Sequence, residues 1–155
     1  MKDAGGTQIV RLGATDISLL RGLNRMFGEA FEDPDRYCAE LPGDDYVLRL
    51  LGNDTFIAIA AVRDGSVIGG LAAYELKKFE QERSEIYLYD LAVAEDHRRS
   101  GVATALVEAL REHGRRCGAF VIFVQADRPD AGAIAFYQSI TTDREDVIHF
   151  DISTR

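Results

Sequence analysis

The segment from Ser84 to Arg116 is the feature that most restricts the fold of this chain. Ser84 to Val93 is rich in Ile, Tyr, Leu and Val, which favour a β-strand. After a short acidic loop, from Gly101 to about Arg116, the apolar residues recur at the spacing of an amphipathic helix. A strand that leads directly into such a helix indicates a sheet with helices packed on its faces.

The rest of the chain supplies further elements of the same kind. Two β-rich runs meet at Asp64-Gly65, a dipeptide that predicts a tight hairpin. In chain order, we predict strands at 7–12, 55–63, 66–74, 84–93, 119–125 and 146–152, and helices at 17–31, 45–51, 101–116 and 131–139. Because 119–125 is continuously apolar, we predict a central strand there, covered on both faces. The expected fold is one α/β (α+β) domain, residues 7–155, with a single mixed, mostly antiparallel sheet flanked by helices, after a disordered start at residues 1–6.

The charge of the chain restricts its partners. Against 18 Lys and Arg stand 26 Asp and Glu, a net charge of −8. Such a protein gains nothing from counterion release on nucleic acid, so we expect no nucleic-acid partner. The acids gather at 32–45, 80–85 and 143–151, either as solvated loops or as a negative cleft that attracts a cationic substrate.

Location and metal content are also constrained. No apolar run has the length of a membrane span and the N-terminus has no signal-peptide pattern, so we expect a cytoplasmic protein without membrane contact. Cys38 and Cys117 show neither CxxC nor Cys/His ligand spacing, so they are interpreted as reduced structural thiols and no metal is expected.

The loop before the 101–116 helix has the composition of an anion site. Its residues are Arg98, Arg99, Ser100, Gly101, Val102, Ala103 and Thr104. Small residues at the start of a helix let backbone N–H groups approach a phosphate, and the two arginines add positive charge. The segment lacks the Gly-Lys-Ser/Thr of a Walker loop, and with Gly101 alone it is not a GxGxxG motif.

These residues resemble those of the GCN5-related N-acetyltransferase (GNAT) superfamily. Arg98-x-x-Gly101-x-Ala103 matches its Gln/Arg-x-x-Gly-x-Gly/Ala signature, and Ala133 to Tyr137 resembles its penultimate helix. Within the superfamily the chain resembles aminoglycoside 3-N-acetyltransferases of the gentamicin-modifying type. This resemblance is densest at 78–81, 84–87, 89–93, 97–99, 103–106, 124–127 and 149–152. One departure is Thr141, where the family usually has Gly.

The resemblance implies a binding mode for acetyl-coenzyme A. Backbone groups of Leu91, Ala92 and Val93 would pair with the pantetheine arm, and the Leu91 N–H would polarise the thioester carbonyl. The pyrophosphate would rest on the N–H groups at the start of the following helix. The coenzyme-binding residues are therefore expected at 91–93 and at 98–104.

Acetyl transfer to an amine needs a base for the amine and an acid for the leaving thiolate. Tyr137 is the candidate acid from its place in the matched helix. Asp90 is the candidate base, because a carboxylate in an apolar strand must be solvated, paired or functional. A structural Asp is the alternative. Strict alternation would place Asp90 on the face of Ile86 and Leu88, although a bulge would change this.

Other polar residues complete the predicted site. Glu85, Asp127 and Asp151 are the expected carboxylates for substrate ammonium groups. His149 is a further candidate proton acceptor, with a structural role as the alternative. His113 and His97 are expected at the surface.

The resemblance implies acetylation of the 3-amino group of aminoglycosides, by direct transfer in a ternary complex, and so antibiotic resistance. The alternatives are a polyamine or protein-lysine acetyltransferase, which would differ in its acceptor contacts, and a non-catalytic acyl-coenzyme A sensor, which would need neither Tyr137 nor Asp90. Dimers are common in the family, so a homodimer is a further expectation of the resemblance.

Overall fold

The computed structural model describes residues 6–141 and 143–155. Of the predicted disordered start, residues 1–5 lie outside the described residues, and Gly6 is exposed. The chain forms two compact units, one that ends at Val124 and one from Gln125 to Arg155. The prediction of a single domain over 7–155 therefore stays a prediction.

The first unit holds all the strands of the described chain. Its elements are β1 (Gln8–Arg11), α1 (Ile17–Ala30), α2 (Pro34–Cys38), α3 (Asp44–Leu51), β2 (Phe56–Arg63), β3 (Ser66–Lys77), β4 (Ser84–Val93), a 3₁₀ turn (Glu95–His97), α4 (Val102–Cys117) and β5 (Ala119–Val124). The second unit holds α5 (Ala131–Ile140). No described helix is long and apolar enough to cross a membrane.

The five strands form one sheet in the order β1-β2-β3-β4-β5. Neighbours pair antiparallel, except that β4 and β5 run parallel. The mixed, mostly antiparallel sheet with helices is therefore confirmed. Asp64 and Gly65 join β2 to β3 and both have positive φ, 50° and 78°, as the predicted tight hairpin requires.

Two adjacent glycines in β3 show which helix covers which face. A Cβ on Gly69 would lie 3.0 Å from a methyl of Val102 in α4, and a Cβ on Gly70 would lie 2.3 Å from a methyl of Leu23 in α1. Successive residues of a strand face opposite sides of the sheet. The helices α4 and α1 therefore pack on opposite faces, and the Leu23 side chain of α1 together with the Ile59 carbonyl of β2 leaves no room for a side chain at Gly70.

The prediction that 119–125 forms a central, fully covered strand is wrong. In the described chain β5 is an edge strand that pairs with β4, and Phe120 and Val121 are exposed. A continuous apolar run shows that a segment suits a strand but carries no information about its neighbours.

The predicted last strand at 146–152 is also not found, because residues 143–155 contain neither helix nor strand. Alternating apolar residues do make up this segment, but a strand also needs a neighbour for its backbone groups. Within the described chain, Val147, Ile148, Phe150 and Ile152 are exposed.

The positions of His113, Cys38 and Cys117 on the helices also bear on the sequence predictions. His113 is buried, with 7% of its surface exposed, not at the surface. It follows Leu106 and Leu110 at the spacing of the buried stripe of α4, so the helix turns it toward the sheet. Both cysteines are free and partly buried.

Candidate active site

A bulge in β4 places Asp90 on the face of the sheet that α1 covers. Asp90 pairs with Ala72 and Leu88 pairs with Ala73, so Tyr89 is an extra residue in β4. Directly opposed residues share a face, and Ala72 packs against the core cluster of α1. Asp90 is therefore on the opposite face from Leu88 and Ile86, and the placement from strict alternation is wrong because the bulge shifts the phase.

The Asp90 carboxylate is partly buried and has a partner from α2. The Tyr37 hydroxyl donates a hydrogen bond of 3.2 Å to Asp90 Oδ2. Burial raises the pKa of Asp90, while the Tyr37 hydrogen bond and the positive charge of Arg36 lower it, and the net shift is upward. A carboxylate with a raised pKa is a better proton acceptor than an exposed one, as a general base requires.

Aromatic side chains surround this carboxylate. Tyr74 and Tyr87 each make an edge contact with Tyr89, at 5.9 and 5.5 Å between ring centroids. Tyr87 also stacks on Phe123 of β5 at 4.7 Å. Burial raises the pKa of the Tyr74 and Tyr87 hydroxyls, so both stay neutral near pH 7. On the sheet, the side chains beside Asp90 are therefore neutral aromatic rings, which suit a cation and the apolar face of a sugar ring.

The predicted coenzyme strand, Leu91 to Val93, lies where β4 and β5 part. The pairing of β4 with β5 ends at Leu88 and Val124, while β4 continues to Val93. The Ala94 N–H donates to Ile68 of β3. Because peptide groups alternate in direction along a strand, those of Val93 and Leu91 point away from β3, toward the side on which β5 has ended.

The helix start predicted to hold the pyrophosphate has the expected backbone. Gly101 precedes α4 with a φ of +81°, and Arg99 has a φ of +58°. Gly101 has no side chain that could cap the helix, and the first helical hydrogen bond is donated by Ala105. The N–H groups of Val102, Ala103 and Thr104 come before that bond, so the site suits an anion such as the coenzyme diphosphate.

Side chains of the same loop stabilise this backbone. Arg98 Nε donates to the Val93 carbonyl at 3.2 Å, and the Ser100 hydroxyl donates to the His97 carbonyl at 2.5 Å. These bonds join the end of β4 to the turn before α4. Arg98 and Ser100 therefore fix the loop, in addition to any contact with an anion.

The predicted substrate carboxylates have different surroundings. Glu85 accepts a salt bridge of 2.9 Å from Lys78, so a neighbouring cation already neutralises its charge. In the second unit, Asp127 is exposed, and Asp151 lies 3.0 Å from His149, which is exposed as well. Glu85 thus has a cationic partner within the first unit, while in the second unit the carboxylates of Asp127 and Asp151 are exposed, and all three stay predictions as substrate contacts.

Tyr137, the predicted acid, lies on α5 in the second unit. Its ring makes an edge contact with Phe136 at 5.4 Å. Its carbonyl accepts a hydrogen bond from Thr141, which has an extended backbone with a φ of −108°. The replacement of the usual glycine by Thr141 therefore causes no backbone strain.

Sequence reasoning missed Tyr37, whose hydroxyl donates the hydrogen bond to Asp90. No helix is predicted between 31 and 45, but Asp33 and Pro34 start the helix α2 there. The Asp33 side chain accepts a bond from the Arg36 N–H and Pro34 occupies the first turn of α2. An N-cap Asp followed by Pro is the signal that predicts this helix.

Comparison with known proteins identifies the family of this chain. The model of the acetyltransferase (GNAT) family matches residues 18–140. None of the curated protein sequences gives a significant match.

Three solved structures illustrate the similarity. The aminoglycoside acetyltransferase HMB0005, from an uncultured soil metagenomic sample, is 53% identical, with a TM-score of 0.93 over 96% of this chain and 99% of that one. The aminoglycoside acetyltransferase meta-AAC0020, also from an uncultured soil metagenomic sample and in complex with sisomicin, is 30% identical, with a TM-score of 0.89 over 96% and 97% of the two chains.

The third, AAC(6')-Iy in complex with the bisubstrate analogue CoA-S-monomethyl-acetylneamine, is 20% identical, with a TM-score of 0.75 over 95% and 98%. At that identity it supports the fold alone. The match of the family model over most of the chain, together with the first two structures, shows that this chain belongs to the GNAT family of acetyltransferases.

Proposed function

We propose that this protein transfers an acetyl group from acetyl-coenzyme A to the 3-amino group of an aminoglycoside, by direct transfer in a ternary complex. The observation that carries the proposal is the position of Asp90. A partly buried carboxylate stands beside the bulge of β4, one residue before the peptide groups that face the gap beyond β5. A proton acceptor and a strand that can pair with the coenzyme are thus adjacent.

Acetyl-coenzyme A supplies the acetyl group as a thioester. Leu91 and Val93 pair with its pantetheine arm through the peptide groups that face away from β3, Ala92 lies between them in the strand, and the Leu91 N–H polarises the carbonyl that is attacked. The N–H groups from Arg99 to Thr104 hold the diphosphate. The uncapped start of α4 and the end of the β4–β5 pairing support this assignment.

Asp90 accepts a proton from the ammonium group of the acceptor, which makes the amine a nucleophile. Tyr137 donates a proton to the sulfur that leaves. The raised pKa of Asp90 supports its part as a base. The role of Tyr137 is supported by the family motif that it ends.

The acceptor is a polycation in this proposal. The net charge of −8 favours such a substrate, and Asp127 and Asp151 offer exposed carboxylates for its ammonium groups. Both soil relatives are named aminoglycoside acetyltransferases, and one holds sisomicin. Acetylation would remove a positive charge that such a drug uses on RNA, which confers resistance. Action in the cytoplasm and as a homodimer stay part of the proposal.

The test measures thiol release from acetyl-coenzyme A with gentamicin, sisomicin, kanamycin, spermidine and a lysine peptide. We expect release with the aminoglycosides, and NMR of the product should locate the acetyl group on the 3-amine. Release with spermidine or the peptide alone would instead indicate a polyamine or protein-lysine enzyme. Acetylation of another amine would contradict the 3-amino assignment.

Replacing Tyr137 with Phe distinguishes an enzyme from an acyl-coenzyme A sensor. In an enzyme, Tyr137→Phe should lower turnover about 100-fold, because a general acid contributes that much, and leave coenzyme affinity measured by calorimetry unchanged. Ser139→Ala removes another hydroxyl from α5 and is the matched control, with unchanged turnover. Equal turnover in Tyr137→Phe and the wild type would exclude Tyr137 as the acid.

A further inference from the structure

We propose that Tyr37 is a positioning residue for Asp90, whose hydroxyl fixes the orientation of the carboxylate and keeps it ionised for the acceptor amine. The inference rests on the proposed role of Asp90 as the base. The inference adds α2, a helix that the sequence did not predict, to the elements that contribute a functional side chain to the site.

The contact joins two distant parts of the chain at a fixed place. The Tyr37 hydroxyl lies 3.2 Å from Asp90 Oδ2, although the two residues are 53 positions apart. The Tyr37 ring packs against Phe27 at 5.7 Å and Phe31 at 5.6 Å between centroids. Phe27 is in the core. Packing therefore determines where the hydroxyl lies, and the hydroxyl then restricts the rotation of the carboxylate.

Among the other residues of α2, Pro34, Asp35 and Arg36 are exposed, and the Cys38 sulfur lies against α1, 3.8 Å from the Asn24 carbonyl. None of its five residues is fully buried, and Asp33 caps its first turn. The α2 helix contacts α1, and the Tyr37 ring is its aromatic link to that helix. A helix this short is not stable alone. Its start at Asp33-Pro34 and its packing through Tyr37 together position the Tyr37 hydroxyl beside Asp90 of the sheet.

The chemical effect of that hydroxyl opposes the effect of burial. Burial in apolar surroundings favours the protonated, neutral carboxyl, which cannot accept a proton from an amine. A donated hydrogen bond favours the ionised form and uses one of the four lone-pair sites of a carboxylate. Tyr37 therefore lowers the pKa of Asp90, and the Asp90 charge together with burial raises the pKa of Tyr37, so the phenol keeps its proton.

Other titratable groups also face Asp90. They are Arg36 on α2, Tyr74 on β3 and Tyr87 on β4. Arg36 acts in the same direction as Tyr37, and the two tyrosines of the sheet add no positive charge. The loss of the Tyr37 hydroxyl would leave Arg36 as the described cation that opposes burial at Asp90.

The test compares the pH profile of kcat/KM for gentamicin in the wild type and in Tyr37→Phe. The variant keeps the ring on Phe27 and Phe31 and loses the donor. The acid limb should move to higher pH by about one unit, so activity at the acid end falls about tenfold while activity near pH 8 changes less than about threefold. Tyr46→Phe, which removes an exposed phenol from α3, should leave the limb in place.

A second measurement does not depend on activity. In ligand-free protein with ¹³C-labelled aspartate carboxyls, the Asp90 signal, assigned by its absence in Asp90→Asn, should titrate at higher pH in Tyr37→Phe. Asp90→Asn also separates the two proposals. If it keeps wild-type activity, Asp90 is not the base and the role of Tyr37 falls with it, while the proposed acetyl transfer to an aminoglycoside still stands. If it is inactive while the Tyr37→Phe profile matches the wild type, the role of Tyr37 alone is overturned.

Discussion

Asp90, which is partly buried, and His113, which is buried, are titratable groups whose charge the fold stabilises or suppresses in different ways. Asp90 receives a hydrogen bond from Tyr37 and stays close to a cation. Nε2 of His113 is buried and has no hydrogen-bond partner in the described chain. Burial and the nearby Arg11 and Arg116 lower the pKa of His113, so the ring is held neutral.

His113 should make the protein sensitive to acid. Its pKa is lower folded than unfolded, where it is about 6.5, so the unfolded chain binds more protons and stability falls as the pH drops below about 6.5. We expect His113→Leu to lose less unfolding free energy than the wild type between about pH 7.5 and about pH 5.5 in urea titrations. His149→Gln, at an exposed site, should behave like the wild type. An equal loss in His113→Leu would contradict this.

The sequence shows which polar residues stand out in apolar segments better than it shows which face of the strand or helix they occupy. Asp90 stands out because the strand around it is apolar, but its face depends on the bulge at Tyr89, which has no sequence signal of its own. The direction of His113 is readable from its spacing to Leu106 and Leu110, and overlooking that spacing led to the wrong placement.

At the scale of elements, α4 carries a left-handed glycine at each end. Gly101 and Gly118 have φ values of +81° and +78°, and a Cβ on either would meet nothing within 4 Å. Alanine at either position is thus strained in the same way and without a clash. The two ends differ in function, since the proposed diphosphate site lies at the Gly101 end.

This symmetry gives a matched pair of variants. Gly101→Ala and Gly118→Ala should each lower the unfolding free energy by about 1 kcal/mol, because an L-residue is disfavoured at positive φ. Coenzyme binding measured by calorimetry should weaken several-fold in Gly101→Ala and stay unchanged in Gly118→Ala. Equal affinities in the two variants would argue against the proposed diphosphate site.

Elements that depend on turn and cap residues close in the sequence are predicted well. Elements that depend on which other segments of the chain lie beside them are not. The hairpin at Asp64-Gly65 and the start of α4 follow from turn and cap residues. The edge position of β5 and the lack of a strand at 146–152 depend on which segments meet, which periodicity does not encode.

At the scale of the whole molecule, the net charge of −8 should affect the two substrates in opposite ways. A cationic aminoglycoside is attracted and the anionic coenzyme is repelled over distances that salt screens. Raising NaCl from about 20 mM to about 300 mM should therefore lower kcat/KM for gentamicin several-fold, while kcat/KM for acetyl-coenzyme A should stay unchanged or rise. An equal fall for both substrates would mean that general salt effects, and not the charge of the protein, are responsible.

The pairing of β4 with β5 ends before β4 does, and this makes the stability of the protein depend on the concentration of free coenzyme. If the coenzyme completes the sheet there, each bound molecule adds backbone pairing that the ligand-free chain lacks, and stability rises with the logarithm of free coenzyme. A cell rich in the coenzyme would then hold a more stable enzyme than a cell that is starved of it. The lifetime of the enzyme against proteases would therefore follow the nutritional state of its host.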